Sequence, residues 1–140
     1  MEAPIYLKGI ARKGPTFRET VLMHAVARIA LHPVISNIQT SWVKLGVQGA
    51  AACLNAGAND LGGTLMNESI SRAAGASHGQ ELDVRNMRSL IHGLGRVPRQ
   101  RTTLYGDASS DRVAAAYNAP PLAEVIQTPA NKYAHGEAAE

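Results

Sequence analysis

Three short stretches of strand character, set among helix-forming segments, put the tightest limit on what this chain can build. They cover residues 34–43, 59–61 and 101–105. Helices alternate with them, as in a parallel α/β sheet whose successive strands are joined by helical crossovers. Three parallel strands leave two open edges and close no barrel. Within 140 residues, so small a sheet reads as part of a larger α/β architecture.

The helices are punctuated by their own chemistry. Thr16-Phe-Arg-Glu19 has the S/T-x-x-E form of a capping box, so a helix is expected over residues 17–31, with Pro33 preventing its continuation. Leu22, Ala25, Val26 and Ile29 form one stripe at helical spacing. The first strand places Ile38, Thr40 and Trp42 on one face and Asn37, Gln39 and Ser41 on the other. A small-residue helix is expected from Gly46 to Asn55, with Gly57 at its C-terminal cap. After the second strand, Gly62-Gly63-Thr64 permits a sharp turn, and Thr64 or Asn67 can cap a short helix through Ala74. Asp83 can cap a further helix whose Val84, Met87, Leu90, Ile91 and Leu94 share a face and which Gly95 and Pro98 end. Residues 111–117 suit one more helix. The division expected is a structured part over residues 1–106 and a partly helical or disordered tail over 107–140.

Composition removes whole classes of function. Cys53 is the single cysteine, so neither a disulfide framework nor a site needing several thiolates from this chain is available, and a reducing, cytoplasmic compartment fits. No run of about 18 apolar residues suits a membrane span, and the first residues lack the basic-then-apolar pattern of an export signal. Net charge is +3, with ten of the fourteen cations arginine scattered among acids, which supports no nucleic-acid role. The five histidines show no metal-ligand spacing, so no metal site is read from them.

Five runs carry a family resemblance: Met1-Glu-Ala-Pro-Ile-Tyr, Arg12-Lys-Gly-Pro-Thr-Phe-Arg-Glu, Asn37-Ile-Gln-Thr-Ser-Trp-Val-Lys-Leu-Gly, Gly57-Ala-Asn-Asp-Leu-Gly-Gly-Thr-Leu-Met-Asn-Glu-Ser-Ile-Ser-Arg-Ala-Ala-Gly-Ala and Arg99-Gln-Arg-Thr-Thr-Leu-Tyr. Together they resemble the C-terminal part of the FO synthase family, in its second radical S-adenosylmethionine module. The resemblance covers residues 2–105. It implies the last three strands, with their helices, of a TIM-type (β/α) barrel. It also implies a transferase that joins a 4-hydroxybenzyl group from tyrosine to 5-amino-6-ribitylaminouracil in deazaflavin biosynthesis. Such enzymes use S-adenosylmethionine and a 4Fe-4S cluster held by a C-x3-C-x2-C loop, which these 140 residues do not contain. The chain alone is therefore expected to be inactive and to need the missing N-terminal part of the barrel as its partner. The other reading is a non-catalytic remnant or a partner-dependent binding subunit.

If the barrel expectation holds, ligands sit at the C-terminal ends of strands. The binding candidates for substrate or S-adenosylmethionine are then Gln39, Ser41, Trp42 and Lys44 on the first strand, Asn59, Asp60 and Thr64 on the second, and Glu68 and Arg72 on the helix beyond. Most have a plainer alternative. Asn37, Gln39 and Ser41 can form a satisfied hydrogen-bond layer, Trp42 can simply pack, Asp60 can fix a turn or cap, and Glu68 and Arg72 can pair at i,i+4 on a helix surface. Arg85, Arg88, Arg96, Arg99 and Arg101 form a basic cluster that suits phosphate or nucleic-acid binding or, equally, an exposed helix face and loop, and no interleaved aromatics support base stacking.

Overall fold

The capping box at Thr16 forms as its sequence dictates. In a computed structural model, which describes residues 9, 14–65 and 81–120, the Glu19 backbone N–H donates to Thr16 Oγ1 at 3.2 Å, and the Thr16 N–H donates to the Glu19 carboxylate at 2.7 Å. This starts α1 (Phe17–Leu31), which ends before Pro33. Three more helices follow: α2 (Trp42–Asn55), α3 (Val84–Gly93) and α4 (Ser110–Asn118).

The expected three-stranded piece of a (β/α) barrel is not what forms. Among the described residues the structure is helical and holds no strand or sheet. The first two strand segments meet in one parallel bridge, Gln39 with Asp60, and the third makes one antiparallel bridge, Arg101 with Asp107. The physical reason is local. The 34–43 segment loses its end to α2, which begins at Trp42 rather than Gly46, and Gly46 interrupts that helix at φ 69°, ψ 173°. That backbone conformation is open to glycine at little steric cost. Residues 101–107 fold back on themselves instead of extending: the Thr102 N–H donates to the Gly106 carbonyl at 2.8 Å and the Tyr105 N–H to Thr102 at 3.1 Å. Neither segment finds a second neighbour among the described residues, so the pairing stops at single bridges.

The core is small and centred on α2. Trp42, Val43, Ala50, Cys53 and Leu54 pack with Ala58, Leu61 and Leu82, flanked by Val21, Leu45, the α3 residues Met87, Leu90 and Ile91, and Leu94 at the α3 C-terminal cap. The α3 face expected from periodicity is thus the face that packs, and Asp83 caps it by accepting the Asn86 N–H at 2.8 Å. On α1 the expectation inverts. The helix buries Thr20 and His24 and leaves its apolar stripe outside, with Leu22 51%, Val26 60% and Ile29 80% exposed. Thr20 and His24 are tolerated inside because they bond within the helix: Thr20 Oγ1 donates to the Thr16 carbonyl at 3.1 Å, and His24 Nδ1 lies 2.8 Å from the Thr20 carbonyl.

Arg28 fastens α1 to the rest. Its Nε donates to the Gly57 carbonyl at 2.7 Å, Nη1 to Ser36 at 2.8 Å and Nη2 to Asn59 Oδ1 at 2.8 Å. One side chain therefore holds the ends of three segments. Arg28→Met keeps the apolar stem and removes all three charge-assisted bonds, so we expect a loss of about 2 kcal/mol, read as a lower urea midpoint with an unchanged slope.

Candidate functional site

A cleft of about 840 Å3 opens beside the 59–64 segment, with α3 and residues 96–108 forming further walls and Tyr117 of α4 reaching it. Its floor begins at the 39–60 bridge. The Thr40 N–H donates to the Asp60 carbonyl at 2.8 Å and the Asn59 N–H to the Ile38 carbonyl at 3.0 Å. The Asn59 side chain locks the same junction: Oδ1 accepts from the Ile38 N–H at 2.8 Å, while Nδ2 donates to Ser36 and to Asn37 Oδ1, each at 3.3 Å. Gly62 sits at φ +75° with the Gln39 amide where a Cβ would project, so a larger residue there must displace Gln39.

Asp60 is the charged centre of the cleft. Its Oδ1 accepts the Gly62 N–H at 2.7 Å, and its Oδ2 accepts Arg101 Nε at 2.9 Å and Nη2 at 2.5 Å. The carboxylate is 7% exposed and the guanidinium 28%. A carboxylate offers about four lone-pair sites, so roughly one remains for a further donor. The Tyr105 ring lies 4.3 Å from the Arg101 guanidinium, which places that cation between an anion and an aromatic face. A second pair, Arg99 Nε to Asp107 Oδ1 at 2.5 Å, stands in solvent.

Of the residues expected at the site, Asn59, Asp60 and Thr64 line the cleft, and Gln39 is exposed beside Gly62. Trp42 is buried in the core, and its Nε1–H donates to the Gly63 carbonyl at 2.9 Å, so the indole positions the cleft's glycine turn. Ser41 precedes α2 without a side-chain capping bond, and Lys44 is exposed on that helix. Asn37 belongs to the Asn59 network, whereas Gln39 and Ser41 make no bond in it. Glu68 and Arg72 lie outside the described residues, as does the short helix expected before Gly75. Sequence reasoning offers Arg101 only as one member of a basic cluster and does not single out Tyr105 at all. The clue was the alternation of cations from Arg96 to Arg101 opposite the lone acid Asp60, but no periodicity links positions 41 residues apart.

Among the described residues, no group of three or more His, Cys, Asp or Glu side chains can hold a metal ion, and no helix is long and apolar enough to cross a membrane. Cys53 is fully buried within α2. The described groups of the cleft can bind, orient and screen a ligand.

Two outcomes follow from the ion pairs. Arg101→Gln leaves the Asp60 carboxylate buried without its cation and should cost about 3 kcal/mol, with Asp60→Asn in the same chain recovering part of it; denaturant melts of both variants and the double variant check this. The hydrogen bond from Arg99, then its charge, holds the Asp107 carboxyl below its ordinary 3.8. A depressed acid stabilises the fold above its unfolded value and loses that contribution only as pH falls through the lower folded value. Carboxyl NMR should therefore place the Asp107 midpoint below 3.8, and Arg99→Gln should return it toward 3.8.

Residues 5–112 match the family model described as the CofH/MqnC C-terminal region. The FO synthase of Streptomyces avermitilis is 55% identical over 114 residues, which are 81% of this chain and 13% of that protein. The Mycobacterium leprae FO synthase is 57% identical over 103 residues, 74% of this chain and 12% of that protein. The 5-amino-6-(D-ribitylamino)uracil–L-tyrosine 4-hydroxyphenyl transferase of Methanopyrus kandleri is 56% identical over 103 residues, 74% of this chain and 28% of that protein. The chain thus spans under a third of the length of each of these relatives. No solved structure matches it.

Proposed function

The chain belongs to the CofH/MqnC C-terminal region family, and on that premise we propose that it is the substrate-positioning part of a transferase of FO biosynthesis, one that joins a tyrosine-derived 4-hydroxybenzyl group to 5-amino-6-ribitylaminouracil. The observation that carries this reading is the cleft itself, an opening of ligand size lined by apolar side chains such as Met87 and Ile91 together with polar and charged ones such as Asn59 and Asp60, and steadied from below by the Asn59 and Arg28 networks. Asp60 and Thr64, with Gln39 beside them, present the uracil or its ribityl hydroxyls with acceptors and donors. Glu68 and Arg72, which follow Thr64 in sequence, extend that set. The protein's share of the chemistry is orientation and exclusion of water.

In the assembled enzyme, S-adenosylmethionine and a 4Fe-4S cluster supply the radical chemistry. The residues here do not fit the cluster: three thiolates are needed, and the sole cysteine, Cys53, is sealed in the core. No step through the cluster is assigned to this chain. The cysteine loop would come from residues outside these 140. A partner-dependent subunit, rather than a self-sufficient enzyme, is also what the bare apolar stripe of α1 favours, since Leu22, Val26 and Ile29 form a patch of the kind that marks a contact surface.

The test is complementation. A relative such as the Methanopyrus transferase is trimmed of its matching 103 residues, its cluster is reconstituted, and the 140-residue chain is added with tyrosine and the aminouracil. Coupled product should form with both pieces and with neither alone. Turnover by the chain alone would sink the dependence on a partner, and failure of the mixed pieces to form complex and product would sink the transferase reading.

A further inference from the structure

The four arginines that line the cleft are held in two different ways. Arg99 and Arg101 are each neutralised by a carboxylate, Asp107 and Asp60. Arg88 and Arg96 are held by neutral groups. The Arg88 guanidinium lies 5.7 Å from the centre of the Tyr117 ring, as does that of Arg85. Arg96 Nη1 donates to the Ala58 carbonyl at 3.2 Å, from a partly buried position. Among the described residues neither Arg88 nor Arg96 has a carboxylate within ion-pair distance. An aromatic face and a carbonyl orient a guanidinium without cancelling its charge, and most of its five N–H donors stay unused. Among the described residues, the cleft wall therefore carries two oriented positive charges that no carboxylate pairs with.

We infer that Arg88 and Arg96 are an anion-receiving pair that takes the carboxylate or phosphate oxygens of a small organic ligand seated in this cleft. The volume, about 840 Å3, suits an organic molecule rather than a bare ion. Guanidinium forks match planar carboxylates and phosphate edges alike, so the ligand's source is left to the experiment. The pair is independent of the transferase reading; only the tyrosine arm below rests on it.

The test is calorimetric titration of the full 140-residue chain with L-tyrosine, with tyramine, which differs only by lacking the carboxylate, and with inorganic phosphate. L-Tyrosine should bind about tenfold or more tightly than tyramine, phosphate should compete with it, and Arg88→Met should erase the preference. Arg96 also holds the Ala58 carbonyl, so Arg96→Lys, which keeps a cation, should retain most of the preference that Arg96→Met loses, with circular dichroism melts confirming that each variant folds. Arginine-dependent binding of phosphate without tyrosine supports the anion pair and counts against the tyrosine reading of the site instead. Equal binding of tyrosine and tyramine, an undiminished preference in a folded Arg88→Met chain, or no binding of either anion overturns the inference.

Discussion

One junction organises the molecule: the meeting of residues 36–40 with 57–60. Two backbone hydrogen bonds make it, and the Asn59 amide and Arg28 guanidinium complete it. A single parallel bridge is a weak object, because among the described residues each strand-like segment there has one neighbour and no sheet to share its edges. Side chains supply what a sheet would have. Arg28 spends three donors on this junction and Asn59 spends its whole amide. Downstream of it, Asp60 and the glycine turn enter the cleft already oriented, while α2 leaves upstream to form the core. The cleft and the core are thus built from opposite sides of the same few residues.

How much of this the sequence discloses depends on whether the signal is local. The capping box at Thr16, the stop at Pro33, the cap at Asp83 and the packed face of α3 all depend on residues within a turn or two of one another, and each forms as read. The strands fail for the complementary reason. Val34 to Val43 has the β-branched, alternating composition of a strand, yet pairing needs partners, and the tail of the run prefers to open α2 at Trp42. The stripe on α1 fails by side rather than by type: the period is helical, but Thr20 and His24 satisfy themselves within the helix and can turn inward, leaving Leu22, Val26 and Ile29 outside.

The site is legible in the same uneven way. Asp60 is marked by chemistry, an acid beside a glycine pair, and it does stand at the cleft. Its partner is not marked, since Arg101 looks in sequence like one member of a basic run. Only the fold sorts that run, giving Arg101 and Arg99 to carboxylates, Arg96 to a carbonyl and Arg85 with Arg88 to the Tyr117 ring. A net charge of +3 carries no information at this scale. What matters is which cations the structure leaves uncancelled, and where.

The small core and the bare α1 stripe bear on the same question from the side of energetics. Among the described residues, eight buried hydrophobic side chains gather around one helix while Leu22, Val26 and Ile29 stay exposed, so the apolar area of those three contributes little to the fold. Covering three such side chains is worth several kcal/mol by the usual area scaling, comparable to a large share of a small domain's stability. A polypeptide that docked there would tighten α1 against the junction that Arg28 fastens. Because that junction also sets Asp60, docking on one face and ordering of the cleft on the other would be coupled. Whatever covers α1 would then stabilise the site's own scaffold, which joins the exposure of α1 and the geometry of the cleft in one physical account.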